Sequence, residues 1–138
     1  MKATELRIGN YLQGDPVSIP KFNYSSDGVT QITAFGIQMI EEGKLTFEPI
    51  PLTEKWLTDF GFTGDEGHVI KDISQNKFRP LKIIINLNGE GGIYISAWDE
   101  DDEVVLYEGS QYFIHQLQNL IHALTGEELI LTPSAKGE

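Results

Sequence analysis

Apolar residues recur at helical spacing in one long stretch near the end of the chain, Ser110–Gly126 (SQYFIHQLQNLIHALTG), which carries no charged residue. At about 100° per residue, Phe113, Leu117, Leu120, Ile121 and Leu124 share one stripe, with Ile114 beside it. That pattern predicts a helix over 111–125 laid on a core. The opposite face holds Gln111, His115, Gln118 and His122. Ser110 is the predicted N-cap, and Gly126 suits the left-handed position that ends a helix.

Upstream of this helix the pattern changes to that of strands. Leu81–Leu87 (LKIIINL) is nearly continuous in apolar residues, which predicts a strand buried on both faces. After a turn at Asn88–Gly92, Ile93, Ile95 and Ala97 alternate with Tyr94, Ser96 and Trp98, and the acidic run Asp99–Asp102 reads as a hairpin turn into a strand over Glu103–Tyr107. His68–Ile73 is a further strand, Gly64–Gly67 a loop, and Glu128–Thr132 a candidate last strand. Residues 133–138 are expected to fray.

Pro51–Phe62 is the best-punctuated short element. Thr53 is the predicted N-cap of a helix, Glu54 favours its positive end, and Leu52 can staple to Leu57. Gly61 supplies the left-handed residue and Phe62 folds back on Leu57. Before it, Leu6–Gln13 reads as a strand bulged at Gly9, Val29–Ile40 as one bent strand or two short ones with a bend at Gly36, and Lys44–Phe47 as another. Short strands punctuated by glycines over fifty residues predict a small, curled SH3-like barrel. The expected fold is therefore α+β: a β-barrel-like lobe over 1–50, a linking helix over 51–62, and an antiparallel sheet packed by the long helix over 63–132.

Composition narrows the chemistry. The 138 residues hold no cysteine, so disulfides, thiolate chemistry and sulfur-ligated zinc are excluded. No apolar stretch approaches a membrane span or a signal peptide, and a cytoplasmic location is expected. Twenty-one acidic residues against ten basic ones give a formal net charge of −11. No Lys or Arg occurs between Ile83 and Ala135. Such a surface repels phosphate backbones and anionic lipids, so direct nucleic-acid or membrane binding is disfavoured.

Three stretches carry a resemblance: LRIGNYL at Leu6–Leu12, IPLTEKWLTDFGF at Ile50–Phe62 and HQLQNLIHALTGEEL at His115–Leu129. Together they are similar to a family of small uncharacterised proteins of phages, prophages and mobile elements of Bacteroidetes-type bacteria. The resemblance implies a cytoplasmic accessory protein of a phage or integrated element, and it brings no catalytic residue with it.

The residues themselves offer little catalysis. His115 and His122 lie about 10 Å apart along a helix rising ~1.5 Å per residue, too far to share one metal ion, and the zinc-helix spacing is missing. His68 reads as surface. Asp99, Glu100, Asp101, Asp102 and Glu103 lack the glycine and glutamate of a calcium loop, since Val104 and Ser110 stand at those positions. Gly89, Gly91 and Gly92 lack the Lys of a phosphate loop. No cofactor is expected.

Three functions remain, none of them catalytic. The first is a protein-binding module that uses the uncharged face Gln111, His115, Gln118 and His122 toward a partner or a second copy, because such a face costs less to desolvate; the same face suits packing within the fold or plain solvent exposure. The second is a DNA-mimic-like inhibitor of host nucleic-acid machinery or defence, with the patch Asp99–Glu103 occupying a basic groove. The third is a small-ligand binder with an inter-lobe pocket near Trp56.

Overall fold

The computed structural model describes residues 3–15, 17, 22, 24, 25, 27–65, 68–72, 81–87, 92–99, 102–126, 128 and 129. They form a mixed α+β fold with two antiparallel sheets, of two and five strands. The chain divides into two compact units, Met1–Pro51 with Phe113–Leu120, and Leu52–Tyr112 with Ile121–Glu138.

In the first unit, β1 (Tyr11–Gln13) pairs antiparallel with β2 (Val29–Gln31), and Leu12 faces Thr30 across the ladder. The strand expected over Leu6–Gln13 is shorter because Arg7–Asn10 forms a turn. The Asn10 N–H donates to the Arg7 carbonyl at 3.0 Å and the Arg7 N–H donates to Asn10 Oδ1 at 2.7 Å. Gly9 occupies the left-handed region of this turn at φ +97°, where a side chain would be strained, and Ile8 is left exposed.

The small barrel is not formed: among the described residues the two-stranded sheet is open. Val29–Ile40 does not continue as strand. It stops at Gln31, and α1 (Ala34–Glu41) follows. Thr33 decides this switch locally, since its hydroxyl accepts the Gly36 N–H at 3.1 Å and caps the new helix. Gly36 is buried inside α1, where a β-carbon would lie 2.4 Å from Ile32 Cδ1. Lys44–Phe47 is likewise not a strand; only Glu48 bridges to Gln13. Leu6, Leu12, Ile32 and Phe47 make the core, and Phe22, Tyr24, Ile37, Ile40 and Leu45 pack around it.

The second unit opens with α2 (Glu54–Asp59), capped as its sequence predicts. Thr53 accepts the Trp56 N–H at 3.3 Å. At the other end the Phe62 N–H donates to the Leu57 carbonyl at 2.9 Å and the Gly61 N–H to the Thr58 carbonyl at 3.0 Å, with Gly61 at φ +97°. These two bonds are the Schellman pair, and Leu52, Leu57 and Phe62 are all buried.

Five antiparallel strands then run in sequence order: β3 (Thr63–Asp65), β4 (His68–Asp72), β5 (Leu81–Leu87), β6 (Ile93–Asp99) and β7 (Asp102–Gly109). Gly64–Gly67 is expected as a loop, but Gly64 and Asp65 belong to β3, which pairs with His68–Ile70, and residues 66 and 67 lie outside the described residues. β5 is buried on one face rather than two. Ile83 and Ile85 are fully enclosed, whereas Ile84 is half-buried and Lys82 exposed. An antiparallel meander needs only one covered face, so Val69, Ile85 and Ile95 align in register on the inner side. Of the other expectations, residues 88–91, 130–132 and 133–138 lie outside the described residues, and Glu128 and Leu129 are not in a strand.

The long helix, α3 (Ile114–Thr125), begins four residues after Ser110. Phe113 takes the place expected of Ser110. Its carbonyl accepts the Leu117 N–H at 3.1 Å, and its own N–H donates to Gln116 Oε1 at 3.0 Å, one half of a capping box. Phe113 is still extended, bridging Pro51, and the Ile114 N–H donates to the Ile50 carbonyl at 2.8 Å. Gly126 closes the helix at φ +77°.

Candidate interaction surface

The outward side of the sheet in the second unit is assembled from alternate residues of β5, β6 and β7. Cross-strand register places Ile84, Ser96 and Val105 in one row and Lys82, Trp98 and Glu103 in the next. Directly paired residues point to the same face. Trp98 keeps 37% of its surface exposed and Val105 47%. Tyr94 donates from its hydroxyl to Glu103 Oε1 at 3.3 Å, a bond that runs diagonally past the Ser96 row. Burial first, and Glu103 second, raise the Tyr94 phenol above its ordinary range. Ser96 itself is fully buried, and its hydroxyl has no hydrogen-bond partner among the described residues.

β7 is an edge strand among the described residues. Its pairing with β6 shifts between Ile95 and Ser96, so that Leu106 is an extra residue between Val105 and Tyr107. Bulges of this kind twist an edge and re-aim its side chains. Before the bulge, Val104 is 59% exposed on the side that pairs with Ala97. The acidic residues gather here. Asp99 faces Asp102 at the end of the hairpin, and Asp99, Asp102, Glu103 and Glu108 are all exposed. Glu100 and Asp101 lie outside the described residues. The surface thus combines exposed aromatic and branched apolar groups with acids and, across β6 and β7, no basic residue.

The uncharged face of the long helix is divided. His115 and Gln118 are buried, His122 is half-buried and Gln111 is exposed, its carbonyl accepting the Tyr107 hydroxyl. The four residues therefore present no continuous free patch. Buried positions on α3 are Ile114, His115, Leu117, Gln118 and Ile121, while Leu124 is 39% exposed. The buried face is rotated by roughly a quarter-turn from the apolar stripe at ~100° per residue.

Hydrogen bonding within the first unit explains the rotation. Gln118 Oε1 accepts the Tyr11 N–H at 2.8 Å, and its Nε2 donates to the Gly9 carbonyl at 3.2 Å. Asn119 Oδ1 accepts from Asn10 Nδ2 and from Arg7 Nε, each at 2.9 Å, and its Nδ2 donates to the Glu5 carbonyl at 2.8 Å. A neutral amide with its bonds made can be buried where a charge could not. His115 stacks on Phe113 at 6.1 Å between ring centroids, and its Nε2 stands 3.6 Å from Glu5 Oε1. Burial lowers its pKa, and Glu5 partly opposes that shift.

Trp56 is half-buried on α2, its ring 5.6 Å from that of Phe60. No group of three or more His, Asp or Glu residues able to hold a metal ion occurs among the described residues. Nor is any helix among them long and apolar enough to cross a membrane. The sequence signal for this surface is the run Val104-Val105-Leu106 directly after the acids, with Trp98 just before them. The class defined by the fold is α+β with open antiparallel sheets. Comparison with protein-family models, with curated proteins and with solved structures found no match.

Proposed function

We propose that this chain is a non-enzymatic protein-binding module, an accessory protein of a phage or mobile element acting in the host cytoplasm, and that the β6–β7 surface receives its partner. The observation that carries the reading is the exposure of Trp98 and Val105 on one face of the sheet, beside the exposed Glu103 and Glu108 of the same face. Exposed apolar groups gathered at one place, rimmed by polar ones, are the usual sign of an interaction site. The acids supply steering toward a basic partner and, through their sign, exclusion of nucleic acid.

The test is retention of host proteins from a lysate, with wild-type protein and the Trp98→Ser/Val105→Asn variant as paired baits. A host protein held by the first and lost from the second is expected. Retention of the same proteins by both, or of none at low salt, would overturn the reading. Inhibition of nucleic-acid machinery is a second reading, favoured by the exposed Asp99, Asp102 and Glu103 at the hairpin end. It is distinguished by a retained partner that DNA displaces.

A further inference from the structure

We infer that β7, the edge strand among the described residues, accepts an extended, basic segment of the partner as an added strand. This rests on the protein-binding reading above and names the form its partner takes. An edge strand presents unpaired backbone N–H and C=O groups, and a peptide that lies along it gains ladder hydrogen bonds whatever its sequence. Side chains then decide which peptide is admitted.

On β7 those side chains are of two kinds. Val104 and Val105 are exposed on opposite faces of the strand, since Val104 pairs with Ala97 and Val105 with Ser96. An added strand would set branched apolar residues beside them. Asp102, Glu103 and Glu108 lie on the same strand, with Asp99 paired to Asp102. Residues directly across a strand pair lie about 4.5–5.5 Å apart, close enough for opposite charges to attract and like charges to repel. A pair of Lys or Arg opposite Asp102 and Glu103, next to a pair of Val or Ile opposite Val104 and Val105, therefore complements this edge.

A second copy of the chain does not complement it. Two β7 strands paired antiparallel about Val105 and Leu106 bring Glu103 opposite Glu108 at both ends. Two copies paired in parallel and in register stack every acid on itself. The bulge at Leu106 further confines regular pairing to Asp102–Val105 on one side and Tyr107–Gly109 on the other. In both of these registers like charges oppose a second copy, whereas a short basic strand meets opposite charges.

The experiment uses the full chain and three fluorescent peptides: a repeat of two lysines and two valines, the same peptide N-methylated at alternate residues, and a repeat of two glutamates and two valines. Fluorescence anisotropy at low salt is expected to show binding of the first only. N-methylation should weaken it about tenfold or more by removing backbone donors. The Glu103→Lys/Glu108→Lys variant, altered at exposed positions, should weaken it by a similar factor.

Equal binding of the parent and N-methylated peptides would overturn strand addition, as would binding of the glutamate peptide or of none. A concentration-dependent dimer abolished by Val105→Asn would assign the edge to a second copy and overturn it too. If the peptides fail while a host protein is still lost from the Trp98→Ser/Val105→Asn bait, the surface reading stands and only the added strand falls.

Discussion

The side-chain oxygen of Gln118 accepts the backbone N–H of Tyr11 at 2.8 Å, with both residues buried. This bond ties α3 to the first strand across more than a hundred residues of sequence. Replacing Gln118 by Leu keeps the volume but leaves the Tyr11 N–H without its acceptor. A buried orphan donor costs about 1–3 kcal/mol. Urea unfolding should show a midpoint lowered accordingly, whereas Gln116→Ala, which removes the acceptor of the Phe113 N–H at the start of α3, should cost about half as much or less.

His115 makes stability depend on mild acid. Its folded pKa lies below its ordinary value because burial disfavours the imidazolium. The unfolded chain therefore binds the proton more readily than the folded one. Stability is full above the unfolded value of about 6.5 and falls as pH drops through the folded value. Thermal melts of wild type should weaken between neutral pH and pH 5 more than those of His115→Leu. Equal slopes would show that the ring is not the group responsible.

Tyr112 acts at the alkaline end. Burial first, and the neighbouring Tyr107 second, push its phenol up to about 12. The two rings lie 4.5 Å apart. A raised folded pKa means that the stabilisation is present below the unfolded value of about 10 and is lost as pH climbs through 12. Absorbance titration should show one tyrosine ionising late, in step with unfolding, and Tyr112→Phe should abolish that late component.

The two ends of α2 are separable. Thr53→Ala removes the hydroxyl that accepts the Trp56 N–H and should cost about 1 kcal/mol. Gly61→Ala keeps the backbone bonds but forces an L-residue to φ +97°, at about 1–2 kcal/mol. Because the sites are at opposite ends of one short helix, the double variant measured by denaturant titration should come close to the sum.

Val105 stands apart from these. It is exposed on the edge strand, so Val105→Thr should change stability by no more than about 0.5 kcal/mol. A loss of partner retention with an unchanged melting curve is the expected combination. A large drop in melting temperature would instead mark Val105 as part of the folded scaffold.

What could be read in advance was governed by near neighbours. The α2 caps, the strands β4 to β7 and the closing glycine of α3 depend on residues within a few positions of one another, and alternation or capping chemistry reports them directly. The switch after Gln31 was missed because Val29–Ile40 carries both strand-like alternation and, at Thr33, a cap. The start of α3 is displaced from Ser110, a good cap in isolation, because Pro51, some sixty residues away, holds Phe113 extended, and the Ile50 carbonyl takes the N–H of Ile114.

The sequence by itself determined that the protein is α+β, that one helix carries no Lys, Arg, Asp or Glu, and that the chain from Ile83 to Ala135 holds acids but no Lys or Arg. Only the tertiary structure decided which way that helix turns. Hydrophobicity favours the leucine stripe, but amides at Gln118 and Asn119 meet backbone and side-chain groups of residues 5–11 and become as well satisfied inside as in water. Likewise an acidic hairpin can be recognised from its letters, yet whether its second strand is an edge depends on which strands find one another after the chain collapses.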